Sequence, residues 1–93
     1  MPRARRIDAC QPMIVEALRR VGAKVLHLHE VGNDCPDLLI GFRGRNVLLE
    51  VKTLGQNPTQ GQQNFADTWP GELHVVHSVE EALTAILGKE VMK

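Results

Sequence analysis

"DCPDLLIGFRGRNVLLEVKT", residues 34 to 53, is the stretch on which the fold turns. Two apolar runs, "DLLIGF" at 37–42 and "NVLLEVKT" at 46–53, are joined by a short "RGR" turn and read as a β-hairpin. Side chains of a strand alternate faces, so Leu48, Glu50 and Lys52 share one face and Val47, Leu49, Val51 and Thr53 the other. If the start of the first strand pairs with the end of the second, Asp37 comes near Glu50 and Lys52. Three charges then sit where apolar side chains would pack more easily.

The flanks extend this hairpin into a domain. Upstream, "KVLHLHE" at 24–30 alternates as a strand does, and "VGNDCP" is turn chemistry. Before it, residues 7–21 carry apolar side chains at 7, 14, 18 and 21, with Val15 and Ala17 widening the stripe. That is helical spacing, and Gly22 follows as a stop. Pro12 is tolerated only in a first turn, so the helix starts between Asp8 and Pro12. Downstream, "LGQNP" is a loop, and Thr59 caps a helix to about Trp69, where Phe65 and Trp69 read as core. Pro70-Gly71 ends it, "ELHVVH" at 72–77 is a strand, and Ser78 with Glu81 predicts a capping box. Ala82, Leu83, Ile86 and Leu87 give the last helix its apolar face. The expected order is α-β-β-β-α-β-α: one α/β domain over residues 1–93, a mixed central sheet flanked by helices, with 1–7 as a basic arm.

Composition narrows the function classes. Apolar residues make up 43 % of 93, enough for a core, but a chain this short buries a modest share of its surface. The net charge is zero, which argues against a global electrostatic pull toward nucleic acid. Positive charge is nevertheless concentrated early, in Arg3, Arg5, Arg6, Arg19, Arg20 and Lys24 against Asp8 and Glu16. The arm residues Arg3, Arg5 and Arg6, and Arg43 and Arg45 at the hairpin turn, are candidate phosphate contacts, or simply solubilising groups. Cys10 and Cys35 lack CxxC spacing, and no signal-peptide pattern is present. Reduced thiols in a cytoplasmic protein are expected. No apolar run approaches the roughly 20 residues of a membrane span.

Two carboxylates held close repel, and one takes up a proton unless a cation lies between them. Asp37, Glu50 and the backbone carbonyl of Val51 form an oxygen set suited to Mg²⁺. A lysine beside such an ion can position a water or stabilise charge on a reacting phosphate. The alternative is a plain ion pair on a solvated face. His27, His29, His74 and His77 do not show the spacing of a closed zinc site. Phe65 and Trp69 could stack on bases, and Gly32-Asn33 could let backbone approach a phosphate, although core and turn are the simpler readings.

Pro36-Asp37 followed by Glu50-Val51-Lys52 resembles the signature of the PD-(D/E)xK nuclease superfamily. Within it, the chain is most similar to the virus-type replication-repair nuclease module, a relative of Holliday-junction resolvases. The likeness covers "IVEALRRVGAKV", "GNDCPDLLIG", "LLEVKT" and "TQGQQNFADTW" followed by "HVVHSVEEAL", in that order. It implies a restriction-endonuclease-like core, Mg²⁺ or Mn²⁺ dependence and hydrolysis of DNA phosphodiesters. Asp37 and Glu50 would be metal ligands, Lys52 the catalytic lysine, and Gln62 an amide that orients the site or contacts a phosphate. The family also carries an acid on the first helix. Its usual spacing back from Gly22 lands here on Gln11, a departure that weakens metal binding. Gln11 also falls inside the apolar stripe of Ile7, Ile14 and Leu18, where a polar group needs a partner. Asp8, at the stripe's edge, is the next candidate ligand, and Glu16 lies opposite.

The expectation is therefore a structure-selective endonuclease of phage or bacterial replication, recombination or repair, acting on branched or junction DNA. A homodimer is expected, with no small-molecule cofactor and no membrane partner. The alternative is a nuclease-fold DNA-binding module that cuts weakly or not at all, within a larger assembly.

Overall fold

A computed structural model describes residues 9–88. The arm Arg3, Arg5, Arg6, and Ile7 and Asp8, lie outside the described residues. The elements are α1 (Gln11–Arg20), β1 (Lys24–His27), β2 (Leu38–Phe42), β3 (Arg45–Val51), α2 (Gln60–Thr68), β4 (Glu72–Val76) and α3 (Val79–Leu87). They form an α/β fold with a four-stranded sheet in the order β1-β2-β3-β4. The first two pairings are antiparallel and β3–β4 is parallel, so the sheet is mixed and α2 lies in the crossover.

The predicted signals set most element ends. Pro12 occupies the first turn of α1, where its missing N–H leaves no helical bond unmade. At the other end Gly22 takes a φ of 97°, its N–H bonds to Arg19 O, and the Ala23 N–H reaches Leu18 O. That is a Schellman closure, and it turns the chain straight into β1. The β2–β3 turn places Arg43 and Gly44 at φ 52° and 79°, the two positive values of a type I′ hairpin turn. β1 is shorter than the alternation suggests: it ends at His27, and Leu28–Val31 closes a turn through Val31 N–H to Leu28 O.

The register puts Val25, Leu38, Ile40, Phe42, Val47, Leu49, Val51 and Val76 on one face of the sheet. This face joins Ile14, Val15 and Leu18 of α1 and Ala82 and Ile86 of α3 in a single core. Burying these side chains, at about 1.5–3 kcal/mol each, is what drives the fold together. Two expectations are corrected here. α2 buries no residue. Phe65 is half-buried, and Trp69 is 42 % exposed and outside the core, because α1 and α3 already cover the apolar face. The capping box predicted at Ser78 and Glu81 is also incomplete. Ser78 Oγ accepts from Glu81 N–H at 3.0 Å, but Glu81 Oε1 accepts from the N–H of His77 at 2.7 Å. A reciprocal box instead closes at Thr59 and Gln62.

Candidate active site

Asp37 sits one residue before β2 and Glu50 one residue from the end of β3. Leu38 pairs with Leu49, so the next step of the register sets Asp37 opposite Glu50. The type of pair follows from the backbone. The Asp37 carbonyl accepts from Leu28 N–H at 2.8 Å, so its backbone groups face β1. Asp37–Glu50 is therefore a non-hydrogen-bonded position of the β2–β3 ladder. There Cα atoms are about 4.5 Å apart and side chains approach most closely. Both carboxylates point to the face opposite the core.

Both are also buried: Asp37 is 5 % exposed and Glu50 4 %. Asp37 Oδ2 accepts the N–H of Val51 at 2.7 Å, which locks its carboxylate against the end of β3. Lys52 Nζ lies 3.8 Å from Glu50 Oε2, with its side chain 15 % exposed. Lys52 is held from behind by its N–H, which bonds Val76 O of β4 at 2.9 Å. An ion pair on a solvated face would leave these groups in water. Burying two acids and one lysine together is costly unless further partners offset the desolvation.

The same geometry orients the Val51 backbone. Its N–H points toward β2, and in an extended residue the C=O points to the same side. The position across is Pro36, which has no N–H to return, so the ladder supplies no proton to the Val51 carbonyl.

Gln11 opens α1 and is 1 % exposed, as its place in the apolar stripe predicts. Among the described residues neither Nε2 nor Oε1 has a hydrogen-bond partner. Glu16 faces outward and pairs with Arg20 at 2.8 Å. Gln62 stands at the third position of α2, where its Oε1 accepts the N–H of Thr59 at 2.9 Å and closes the helix start. Gln62 is thus anchored in a cap. The start of α2 is nevertheless close to the loop that carries Asp37. A methyl group on Gly61 would meet the Asp34 carboxylate, with Cγ at 2.7 Å. The loop reaches that contact through Gly32, Asn33 and Asp34, all at positive φ (76°, 56° and 64°). Asn and Asp accept this conformation more readily than other side chains.

The two hairpin arginines part ways. Arg45 Nη2 bonds Glu72 Oε2 at 2.5 Å and Nε bonds Oε1 at 3.2 Å. Nη1 and Nη2 also donate to Ile86 O and Ala85 O, the carbonyls that end α3. Arg45 fastens β3, β4 and α3 together; the hydrogen bonds it donates to Glu72 hold its pKa above the usual value. Glu72 is lowered in turn, first by Arg45 and then by His74. Arg43 is exposed at the tip, with its guanidinium 4.8 Å from the Phe42 ring centroid. It lies about 20 Å from Asp37, six extended residues at roughly 3.3 Å each.

Among the described residues no group of three or more His, Cys, Asp or Glu side chains gathers as a metal cluster. His27 and His29 meet edge to face, with centroids 6.4 Å apart. Cys10 and Cys35 form no disulfide. A cleft of about 700 Å³ between β4 and α3 includes Glu72, His74 and Thr84 but none of Asp37, Glu50 and Lys52. The donors at the Asp37–Glu50 position are all oxygens, which fits a hard divalent cation and not zinc or copper. Among the described residues no helix is long and apolar enough to cross a membrane.

Sequence reasoning missed the Asp34–Gly61 contact, for which an unexplained helical glycine was the available signal. Comparisons with protein-family models, curated proteins and solved structures gave no significant match, so the nuclease resemblance rests on the ordered motifs alone.

Proposed function

We propose that this chain is a metal-dependent DNA endonuclease with a restriction-endonuclease-like core. The observation that carries the reading is the buried pair Asp37 and Glu50, opposed across two strands, with the Lys52 ammonium 3.8 Å from Glu50. Catalysis demands such groups where stability alone would favour apolar ones.

Asp37, Glu50 and the Val51 carbonyl would hold Mg²⁺ or Mn²⁺, which when bound supplies Lewis-acid polarisation of the phosphodiester and a more acidic water. The Val51 N–H fixes the carboxylate of Asp37 in place. Glu50 orients Lys52, whose ammonium donates to a non-bridging phosphate oxygen and stabilises the charge that develops there. Gln62 places the start of α2, whereas Gln11 lies in the stripe of α1 that packs on the core face and not on the carboxylate face. Arg43 tracks the backbone at the far end of the hairpin, aided by the basic arm. The Arg45 donors are already engaged inside the fold, so phosphate contact falls to Arg43. No base-reading element is evident, so selectivity is for DNA shape, with branched or junction substrates first. Action as a homodimer places two sites on two strands. The setting is the cytoplasm of a bacterial or phage-infected cell.

The test is cleavage of flap, junction, duplex and single-stranded substrates with Mg²⁺ or Mn²⁺. Glu50→Gln and Lys52→Ala are each expected to lower the rate by about 10²–10³-fold or more, with circular dichroism unchanged. Loss of folding in both variants, with no separate effect on cutting, would return the three charges to a structural ion pair.

Two observations favour a second reading. Gln11 stands where an acid is expected, and the net charge is zero. A nuclease-fold binding module that does not cut, inside a larger replication or repair assembly, would have both features. Calorimetric titration separates the two: no heat with either ion, and no cutting even with Mn²⁺, supports the binding module.

A further inference from the structure

The aromatic pair of α2 has no role in the core. Phe65 and Trp69 are stacked on each other, 5.4 Å between centroids and 16° between planes. The indole edge lies over Gly71, where a methyl would come within 2.9 Å of Trp69 Nε1. The ring is 42 % exposed. We propose that this pair is a stacking platform for unpaired nucleobases, serving the site at Asp37, Glu50 and Lys52.

Position supports this. Gly61, Phe65 and Trp69 are four residues apart and share one stripe of α2. That stripe starts at the contact with Asp34, in the loop that leads to Asp37. At 1.5 Å per residue the rings lie about 6 and 12 Å further along the helix, one or two nucleotides away.

The surroundings favour bases over phosphates. From residue 53 to 71 the only charged side chain is Asp67, so this segment itself brings no cation to a phosphate. A second copy of the chain fits poorly. At 42 % exposure Trp69 offers on the order of 100 Å², against roughly 800 Å² per partner in a stable interface. A base needs only one flat ring, and such stacking tolerates any sequence. The inference rests on the nuclease reading and adds the feature recognised: an unstacked strand next to the cut.

The test uses the sole tryptophan of the full chain. A Glu50→Gln protein is titrated in EDTA with a single-stranded oligothymidine and with a duplex, while Trp69 emission and the anisotropy of a labelled strand are followed. The single strand should quench Trp69 saturably and the duplex should not. Trp69→Ala should weaken single-strand binding roughly five- to a hundredfold, and Trp69→Phe should recover part of it. Strand binding that leaves emission unchanged, or no strand binding at all, would overturn the proposal. So would an emission shift that tracks protein concentration without DNA. Failure of the nuclease reading is distinguishable: wild type would then quench normally and cut nothing.

Discussion

Gln11 is the buried side chain whose replacement tests the packing most sharply, because its two polar atoms make no bond among the described residues and it is 1 % exposed. A buried amide without partners costs about 1–3 kcal/mol relative to a satisfied or apolar group. Leucine has nearly the same volume and lies well in the stripe of Ile14 and Leu18. Gln11→Leu should therefore stabilise the apo protein by about 1–3 kcal/mol. In a domain of this size each kcal/mol raises Tm by roughly 4–8 °C. Thermal unfolding by circular dichroism in EDTA, cross-checked by urea midpoints, measures it. A Gln11→Leu protein that loses about 1 kcal/mol or more in EDTA would refute the reasoning, because the amide would then be contributing bonds.

The contact of Asp34 with Gly61 should appear as coupling. Gly61→Ala in an Asp34→Ala background should gain up to about 1 kcal/mol of helix stability, and clearly less in wild type, as a double-mutant cycle would record. Glu72 sets an acid limit on stability. Its pKa is lowered in the folded state, first by the Arg45 hydrogen bond, so its contribution is full above the ordinary value of 4.5 and is lost as pH falls through the lower folded value. Glu72→Gln should flatten the stability–pH profile below pH 4.5, and urea midpoints on either side of that pH check it.

How much of this could be read from the chain depends on how far each interaction reaches. Helical spacing, the Gly22 stop, the Pro70-Gly71 break and the hairpin at Arg43-Gly44 are local, and all appear where the residues place them. The approach of Asp37 to Glu50 was legible in outline from alternation and a short turn, but the register was not: the RGR turn proves to be Arg43-Gly44 alone, with Arg45 already in β3. Nor was the role of Arg45. Its partner Glu72 is 27 residues away and its carbonyl acceptors 40 and 41, so nothing beside it announces a fastener. The aromatic pair misled because helical spacing says which residues share a face and not whether that face meets a sheet. Glu81 likewise has two N–H groups within reach, and only the path of the chain from β4 decides for His77.

The sheet order has a consequence for how the molecule assembles. β1, β2 and β3 form an antiparallel meander of near neighbours, whereas β4 joins only after the loop and α2 have closed a parallel crossover. Short-range pairing is the faster process. Asp37 and Glu50 lie wholly within the meander, but Lys52 takes its backbone anchor from Val76. The placement of the acids thus depends on local pairing alone, whereas the backbone anchor of the lysine depends also on the long crossover to β4.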